Sequence, residues 1–238
     1  MTHKLTYQQK CQYYDFLCDF MTANRRQRFD DIANNRTRHL TIVLEDLFQP
    51  HNASAVLRTC DCFGIQDVHI IENENKYNVN PDVALGSSNW LTLHNYNSKE
   101  FNTPDCLENL KKQGYTLIAT TPLQNNLKLE DVKIENKTAI IFGTEKNGLT
   151  EAALKFADSF MVIPMYGFTE SFNISVSAAI TLFSLTERLR KSDFDWHLSK
   201  KEEIDIKIDW AKKSVRSSEM LEKQHFQKLF TNVEKTNF

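Results

Sequence analysis

The sequence lacks several features that would by themselves define a protein class. It contains no apolar run of transmembrane length, and its N-terminus, MTHKLTYQQK, is too polar to be a signal peptide. The formal net charge of −2 excludes a polycation, so any nucleic-acid binding must depend on local basic patches. Five cysteines, an odd number without an export signal, indicate reduced thiols and a cytoplasmic protein.

Glycine patterns that bind nucleotides are also absent. None of the six glycines lies in a G-x-G-x-x-G or P-loop pattern, so a dinucleotide or nucleoside triphosphate site is poorly supported. Cys60 and Cys62 are two residues apart on a predicted helix and therefore point to different faces. We interpret them as core residues, and we predict no metal site.

Apolar runs alternate with helical segments through the middle of the chain. Residues 39–44 predict a strand, residues 53–63 a helix that Gly64 ends, and residues 68–71 the next strand. This βαβ unit implies parallel strands with a right-handed crossover. Further strands are predicted at residues 90–93, 115–120, 138–142 and 160–163, with helices at 105–113 and 150–157. The alternation indicates an α/β domain with a mostly parallel sheet flanked by helices, over residues 39–191.

Two segments flank this domain. Residues 1–38 combine helical spacing of aromatic and apolar side chains with an arginine cluster that includes Arg25, Arg26 and Arg28. The cluster is either a solvated helix face or a phosphate-contacting patch, and its pattern leaves both open. Residues 192–238 have helical spacing and mixed charge. We predict a basic helical N-terminal arm and a helical C-terminal arm.

The stretch 161–190 joins a predicted strand to a long predicted helix through a polar loop. Pro164 ends the strand because it has no N–H to donate. Ser171, Asn173 and Ser175 crowd the loop and the first helical turn, although one N-cap needs only one of them. The surplus polar groups predict a loop that binds a ligand at a helix N-terminus.

Other candidate residues follow strands of the predicted sheet. In open parallel sheets, ligands bind beyond the carboxyl ends of the strands. These ends are followed by Asn52 and Arg58, by Thr120, by the run 142–148 and by the loop 165–173. Arg58 either forms a structural ion pair, with Glu145 as a candidate partner, or reaches a ligand.

Three segments resemble the motifs of the SpoU/TrmH family. They are residues 44–61, which include PHNASAVLRTCD, residues 142–148, FGTEKNG, and residues 163–177, which include SFNISVS. All three occur in the family's order. Members of this family are S-adenosylmethionine-dependent RNA ribose 2′-O-methyltransferases of the SPOUT class. The resemblance therefore implies the cofactor S-adenosylmethionine, a homodimer and a deep C-terminal trefoil knot that holds the methyl donor.

The resemblance also assigns roles to single residues. Cofactor contacts are implied for Thr120, Gly143, Ile163, Met165, Ser171 and Phe172, the last at a position where the family usually has leucine. Arg58 is the implied catalytic residue, either as a base or as a group that holds phosphate and stabilises the developing alkoxide. Asn52 and Glu145 are expected to position it, and Asn173 to orient cofactor or ribose.

The flanking arms suggest the RNA substrate. Ribosomal-RNA members of the family often carry a separate N-terminal domain, whereas short arms are more like the tRNA enzymes that methylate the D-loop guanosine at position 18. We therefore expect ribose methylation of tRNA, with ribosomal RNA as an alternative substrate. A non-catalytic RNA-binding protein is a third possibility, but intact Asn52, Arg58, Glu145 and Asn173 argue against it.

Overall fold

The chain forms two compact units. In a computed structural model, the structure describes residues 5–77, 86–122, 127–144 and 146–235, with side chains as far as residue 227. One unit is Thr37–His197, and the other combines Met1–Arg36 with Leu198–Phe238.

A parallel sheet forms the centre of the unit Thr37–His197. Its seven described strands are β1 (Leu40–Glu45), β2 (Asp67–Ile71), β3 (Thr92–Tyr96), β4 (Thr116–Thr120), β5 (Leu127–Lys128), β6 (Thr138–Phe142) and β7 (Ser159–Val162). Their order is β3-β2-β1-β6-β4-β7-β5, and every neighbouring pair is parallel. All residues of β1 and β6 are buried, which their continuous β-branched and apolar sequences allow. The predicted α/β class with a parallel sheet is confirmed.

Four helices pack on this sheet: α3 (Pro50–Cys62), α4 (Thr103–Lys112), α5 (Glu151–Phe156) and α6 (Ile174–Arg190). Because side chains alternate along a strand, β1 contributes to two separate cores. Ile42 and Leu44 pack in the core that contains α3 and α6, whereas Val43 packs with α4 and α5. Among the described residues, no helix is both long and apolar enough to span a bilayer.

The ends of this unit lie side by side. Thr37 forms an isolated antiparallel bridge with His197, and its hydroxyl donates to the Trp196 carbonyl at 2.6 Å. Thr37 also pairs in parallel with Ile65 in the turn before β2. The first and last residues of the unit are therefore tied to each other and to the sheet.

The second unit is helical and is built from both predicted arms. Its helices are α1 (Tyr7–Cys18), α2 (Ala23–Ala33), α7 (Lys200–Ser214) and α8 (Ser218–Lys235), and both α1 and α2 pack on α7. Trp210 is 2% exposed, with the Phe29 ring at 5.5 Å and the Arg36 guanidinium at 5.4 Å from its ring centroid. The two arms were predicted as 1–38 and 192–238, and it is residues 1–36 and 198–238 that form this unit, whereas residues 37–38 and 192–197 belong to the sheet unit.

Asp46 fixes the loop after β2 to the end of β1. Its Oδ1 accepts hydrogen bonds from the backbone N–H groups of Asn73, Glu74 and Asn75 at 2.8, 2.9 and 2.8 Å. Asp46 itself has a φ of 56°, a left-handed conformation that Asp and Asn tolerate better than most residues.

Replacement of Asp46 by alanine is expected to destabilise the protein by about 2 to 3 kcal/mol. The alanine side chain leaves the three N–H groups without their acceptor. It also lacks the short polar group that lets Asp tolerate the left-handed conformation. Urea denaturation measures the loss. Asp46→Asn is the control, because its amide oxygen still accepts and its backbone tolerates the conformation, and an equal loss for both variants would contradict the assignment.

Candidate functional site

A cavity of about 650 Å³ lies at the carboxyl ends of β4, β6 and β7, beside the start of α3. Its position follows from the strand order. Strands β1 to β3 extend the sheet in one direction, and the later strands extend it in the other. Ligands of open parallel sheets bind where the order reverses in this way.

The cavity brings together eight of the ten residues that the sequence assigns to cofactor binding or catalysis. They are Asn52, Thr120, Gly143, Ile163, Met165, Ser171, Phe172 and Asn173. Arg58 is exposed on α3 and is not among the described residues that line the cavity. Glu145 lies outside the described residues, so its interaction with Arg58 stays a prediction.

Arg58 has no structural partner among the described residues, because none of them forms an ion pair or hydrogen bond with its side chain. A structural ion pair with any of these residues is therefore excluded. As far as the described residues are concerned, no contact occupies its exposed guanidinium. Arg58 lies nearly two helical turns beyond Asn52, and only Asn52 of the two lines the cavity among the described residues.

A chain of three side-chain amides connects opposite sides of the cavity. The Asn173 Nδ2 donates to Asn52 Oδ1 at 3.1 Å, and the Asn52 Nδ2 donates to Gln49 Oε1 at 3.2 Å. The Asn173 Oδ1 accepts from the backbone N–H of Ser175 at 2.8 Å and from its hydroxyl at 2.6 Å, so Asn173 is the N-cap of α6. The amide chain fixes the start of α3 against the start of α6, two segments 121 residues apart.

The first turns of α3 and α6 both contribute to the cavity wall through Asn52, Ile174 and Ser177. Unpaired N–H groups at a helix N-terminus create a positive potential within the first turn. This arrangement favours an oxygen that develops negative charge during a reaction.

The loop after β6 folds into a tight hairpin that forms another wall. Thr144 and Gly148 exchange backbone hydrogen bonds at 2.9 and 3.1 Å, and Gly148 has a φ of 69°. A Cβ on Gly143 would lie 2.3 Å from the carbonyl carbon and oxygen of Gly148. Glycine is required at position 143 by this approach of the chain to itself, in addition to the predicted approach of a cofactor.

The remaining wall is apolar. Met161, Ile163 and Met165 extend along and beyond β7, and Phe172, which is 42% exposed, lies at the end of the same loop. Thr120 is the last residue of β4 and lines the cavity. Its hydroxyl donates to the Ile141 carbonyl at 2.9 Å, so it also connects β4 to β6. The cavity thus combines apolar contacts with a few fixed polar groups, which is the usual character of a small-molecule site.

Sequence reasoning assigned no individual role to several residues of the cavity, notably Gln49, Lys146, Asn147 and Glu170, although the last three lie in the candidate segments 142–148 and 165–173. Gln49 follows β1 and precedes the helix start at Pro50, so its place at a strand end was an available signal. Lys146 and Asn147 belong to the hairpin that contains Gly143 and Gly148. Their contribution depends on the hairpin conformation, which the sequence pattern alone does not specify.

A second polar cluster lies on β2 and β3. The Asp67 carboxylate accepts from Arg38 Nε at 3.0 Å, and the rings of His69 and His94 stack at 4.5 Å. Burial lowers the pKa of His69 to about 3, so this imidazole is neutral at physiological pH. Within the described ranges, no three His, Cys, Asp or Glu side chains are arranged to hold a metal ion.

The three predicted RNA-binding arginines are exposed on α2. Arg26 forms an ion pair with Asp15 at 2.6 Å and lies 5.9 Å from the Tyr14 ring centroid, so its charge is partly compensated. Arg25 and Arg28 form no ion pair with a described residue. The charge of these two is available to an external anion.

The fold and the cavity are those of an α/β protein with a ligand site where the strand order of a parallel sheet reverses. Comparison with known proteins identifies the family. The chain belongs to the SpoU rRNA Methylase family, whose model matches residues 39–183.

Two curated or solved relatives cover most of this chain. The Borreliella burgdorferi tRNA (guanosine(18)-2′-O)-methyltransferase is 43% identical over 206 residues, 87% of this chain and 93% of the relative. The A. aeolicus TrmH/SpoU tRNA modifying enzyme has a TM-score of 0.72 and 27% identity, over 81% of this chain and 97% of that chain.

A third comparison supports the fold. The SpoU methyltransferase AviRb of Streptomyces viridochromogenes, solved in complex with AdoMet, has a TM-score of 0.57 and 20% identity. The match covers 68% of this chain and 65% of that chain. AdoMet is S-adenosylmethionine, the cofactor that the sequence motifs imply.

Proposed function

We propose that this protein methylates the ribose 2′-hydroxyl of the D-loop guanosine at position 18 of tRNA, with S-adenosylmethionine as the methyl donor. The observation that carries the proposal is the cavity itself, which unites residues from all three family motifs. The proposed RNA substrate rests on the 43% identical relative, whose name specifies guanosine 18 of tRNA.

The cavity residues fit an adenosyl and methionyl ligand. A volume of about 650 Å³ is in the range of small-molecule sites. Ile163, Met165 and Phe172 would enclose the apolar parts, and the backbone around Gly143 would supply polar contacts. When bound, S-adenosylmethionine supplies an activated methyl group on a sulfonium.

The protein residues must then align and activate a weak nucleophile, the ribose hydroxyl. The amide pair of Asn52 and Asn173 would orient the ribose, and the two helix starts beside it would stabilise negative charge on its oxygen. Arg58 would hold the neighbouring phosphate and stabilise the alkoxide or accept the proton. A guanidinium scarcely deprotonates in proteins, which favours the first role, with the hydroxyl proton released to water as the oxygen is methylated.

We further propose a homodimer in which α6 contributes to the interface and Arg58 serves the cavity of the partner chain. Arg58 lies outside the cavity of its own chain, and Phe172, Val176 and Phe183 expose 42%, 43% and 61% of their surfaces near or on α6. Apolar side chains exposed together favour burial against another copy.

The proposed deep trefoil knot would lie in the segments that form the cavity, where β7 inserts between β4 and β5.

The helical unit is proposed to bind the tRNA in the cytoplasm. Its sequence, residues 1–36 and 198–238, contains fifteen Lys and Arg against eleven Asp and Glu, a net charge of +4. Residues 37–197 contain fourteen against twenty, a net charge of −6. A polyanionic partner is therefore attracted to the helical unit more than to the sheet unit.

Replacement of both Arg25 and Arg28 by alanine is expected to weaken tRNA binding and to lower the slope of log affinity against log salt by about 2. Each arginine that neutralises a phosphate contributes about one unit to this slope. Filter binding at several salt concentrations measures it. Arg26→Ala is the matched control, since Asp15 already pairs with Arg26, and an unchanged slope in the double variant would make the patch a solvated surface.

Methylation mapping tests the proposed function. The protein is incubated with labelled S-adenosylmethionine and total RNA, and the modified nucleotide is identified. Label at guanosine 18 of tRNA is the expected result, and label only in ribosomal RNA would overturn the proposed substrate. Cofactor binding without any transfer would instead favour a non-catalytic RNA-binding protein.

A further inference from the structure

Glu45 is a buried carboxylate that takes no direct part in the proposed reaction. It ends β1 and is 1% exposed. Its Oε1 accepts from the hydroxyls of Thr103 and Thr150 at 2.6 and 2.7 Å, and its Oε2 accepts from the Thr150 backbone N–H at 3.0 Å. In the described part of the chain, no Lys or Arg forms an ion pair with it.

A buried carboxylate without a cation is costly unless fixed donors replace its water. Both threonines stand at helix starts: Thr103 is the first residue of α4, and Thr150 is the N-cap of α5. The Thr150 hydroxyl also accepts from the Ala153 N–H at 3.2 Å. Glu45 thereby connects the starts of α4 and α5 to the end of β1. The two threonines are 47 residues apart in the sequence.

One of these two connections leads to the cavity. Thr150 directly follows the hairpin that begins at Gly143, and both Gly148 and Leu149 line the cavity wall. On the other side of Glu45, the chain continues through Gln49 to Asn52, which line the cavity as well. The contact between Glu45 and Thr150 therefore sets the separation of two walls of the cavity. The contact with Thr103 has no such connection, because α4 contributes no described residue to the wall.

We propose that Glu45 is a positioning residue for the cofactor site, which it shapes through Thr150 by holding residues 146–149 of the hairpin. The proposal rests on the proposed function for the identity of the ligand. Glu45 is not among the described residues that line the cavity, and its side chain reaches the hairpin through Thr150.

Cofactor affinity separates this role from a purely structural one. In Glu45→Gln, the side chain keeps its shape but loses the charge and one acceptor, and in Thr150→Val the hydroxyl is lost. Each substitution is expected to weaken S-adenosylmethionine binding by about tenfold in calorimetry, as one misplaced polar contact does. Thr150→Ser, which keeps both donors, should restore wild-type affinity.

Thr103→Val is the matched control. It removes the 2.6 Å hydrogen bond to the same carboxylate oxygen, so it should lower the melting temperature while leaving cofactor affinity unchanged. Equal weakening of binding in Thr103→Val, or unaltered binding in Glu45→Gln and Thr150→Val, would overturn the proposal. If Glu45→Gln does not fold, the cofactor affinities of Thr150→Val and Thr150→Ser decide between a positioning role and a purely structural one.

Hydrogen exchange distinguishes failure of this inference from failure of the proposed function. The backbone N–H groups of Thr144 and Gly148 bond across the hairpin, so their exchange reports its order without any ligand. Faster exchange there in Glu45→Gln but not in Thr103→Val supports the positioning role even if wild-type protein binds no S-adenosylmethionine. Unchanged exchange in Glu45→Gln would overturn it.

Discussion

Replacement of Gly143 by alanine is expected to weaken S-adenosylmethionine binding by about 5- to 150-fold and to reduce methyl transfer with it. The added Cβ would lie 2.3 Å from the Gly148 carbonyl and 2.5 Å from the Leu149 nitrogen. Both contacts are with backbone, so no side-chain rotation relieves them, and the hairpin must open. Overpacking of this kind costs about 1 to 3 kcal/mol, and the distortion falls directly on a wall of the cavity.

Gly167→Ala is the matched control. Gly167 belongs to the loop before α6, its φ is not in the left-handed region, and a Cβ there would meet nothing within 4 Å. Its alanine variant should bind cofactor as the wild type does. Calorimetry measures both variants, with thermal melting to confirm folding. Normal affinity in Gly143→Ala would mean that the hairpin does not form this wall.

Arg58→Ala is expected to reduce methyl transfer by about 100- to 1,000-fold while cofactor affinity is retained. A group that stabilises charge only in the transition state has an effect of this size. The side chain is exposed and outside the cavity, so its removal should not disturb the fold or the cofactor walls. Single-turnover assays and calorimetry measure the two properties, and full activity would remove Arg58 from the mechanism.

A mixed dimer tests which chain supplies Arg58. An Arg58→Ala chain and an Asn173→Ala chain are co-expressed with different tags, and the heterodimer is purified. If Arg58 serves the partner's cavity, one site carries both defects and the other carries none, so about half of the wild-type activity is expected. If Arg58 acted in its own chain, each site would carry one defect, and the heterodimer would be as inactive as the single variants.

The central strands were predictable because their local sequence indicates that they are buried. Most residues of β1 and β6 are β-branched or apolar, with Glu45 at the end of β1 as the charged exception, so burial on both sides was the direct interpretation. By contrast, β5 consists of only two residues, Leu127 and Lys128, and both are exposed. It is a strand because it pairs with β7. The strand predicted at residues 90–93 begins two residues later, at Thr92, because a 3₁₀ turn at Ser87–Asn89 precedes it.

The candidate site was predictable only to the extent that its residues lie in recognisable motifs. The motifs located seven of its residues and the strand end at Thr120 an eighth, but no local pattern predicts the hydrogen bond of Asn52 to Asn173 or of Glu45 to Thr150. These pairs are separated by 121 and 105 residues, so they depend on how the strands assemble. The exposure of Arg58 was likewise a tertiary property, since the sequence left both an ion pair and contact with a ligand open for this side chain.

The bridge between Thr37 and His197 makes the sheet unit suitable for circular permutation. A short linker could join these two residues, and new termini could be opened in an exposed loop without removing any strand from the sheet. The same geometry permits exchange of everything outside residues 37–197 as one cassette. Grafting the flanking segments of another relative onto this unit would then redirect the same chemistry to a different RNA.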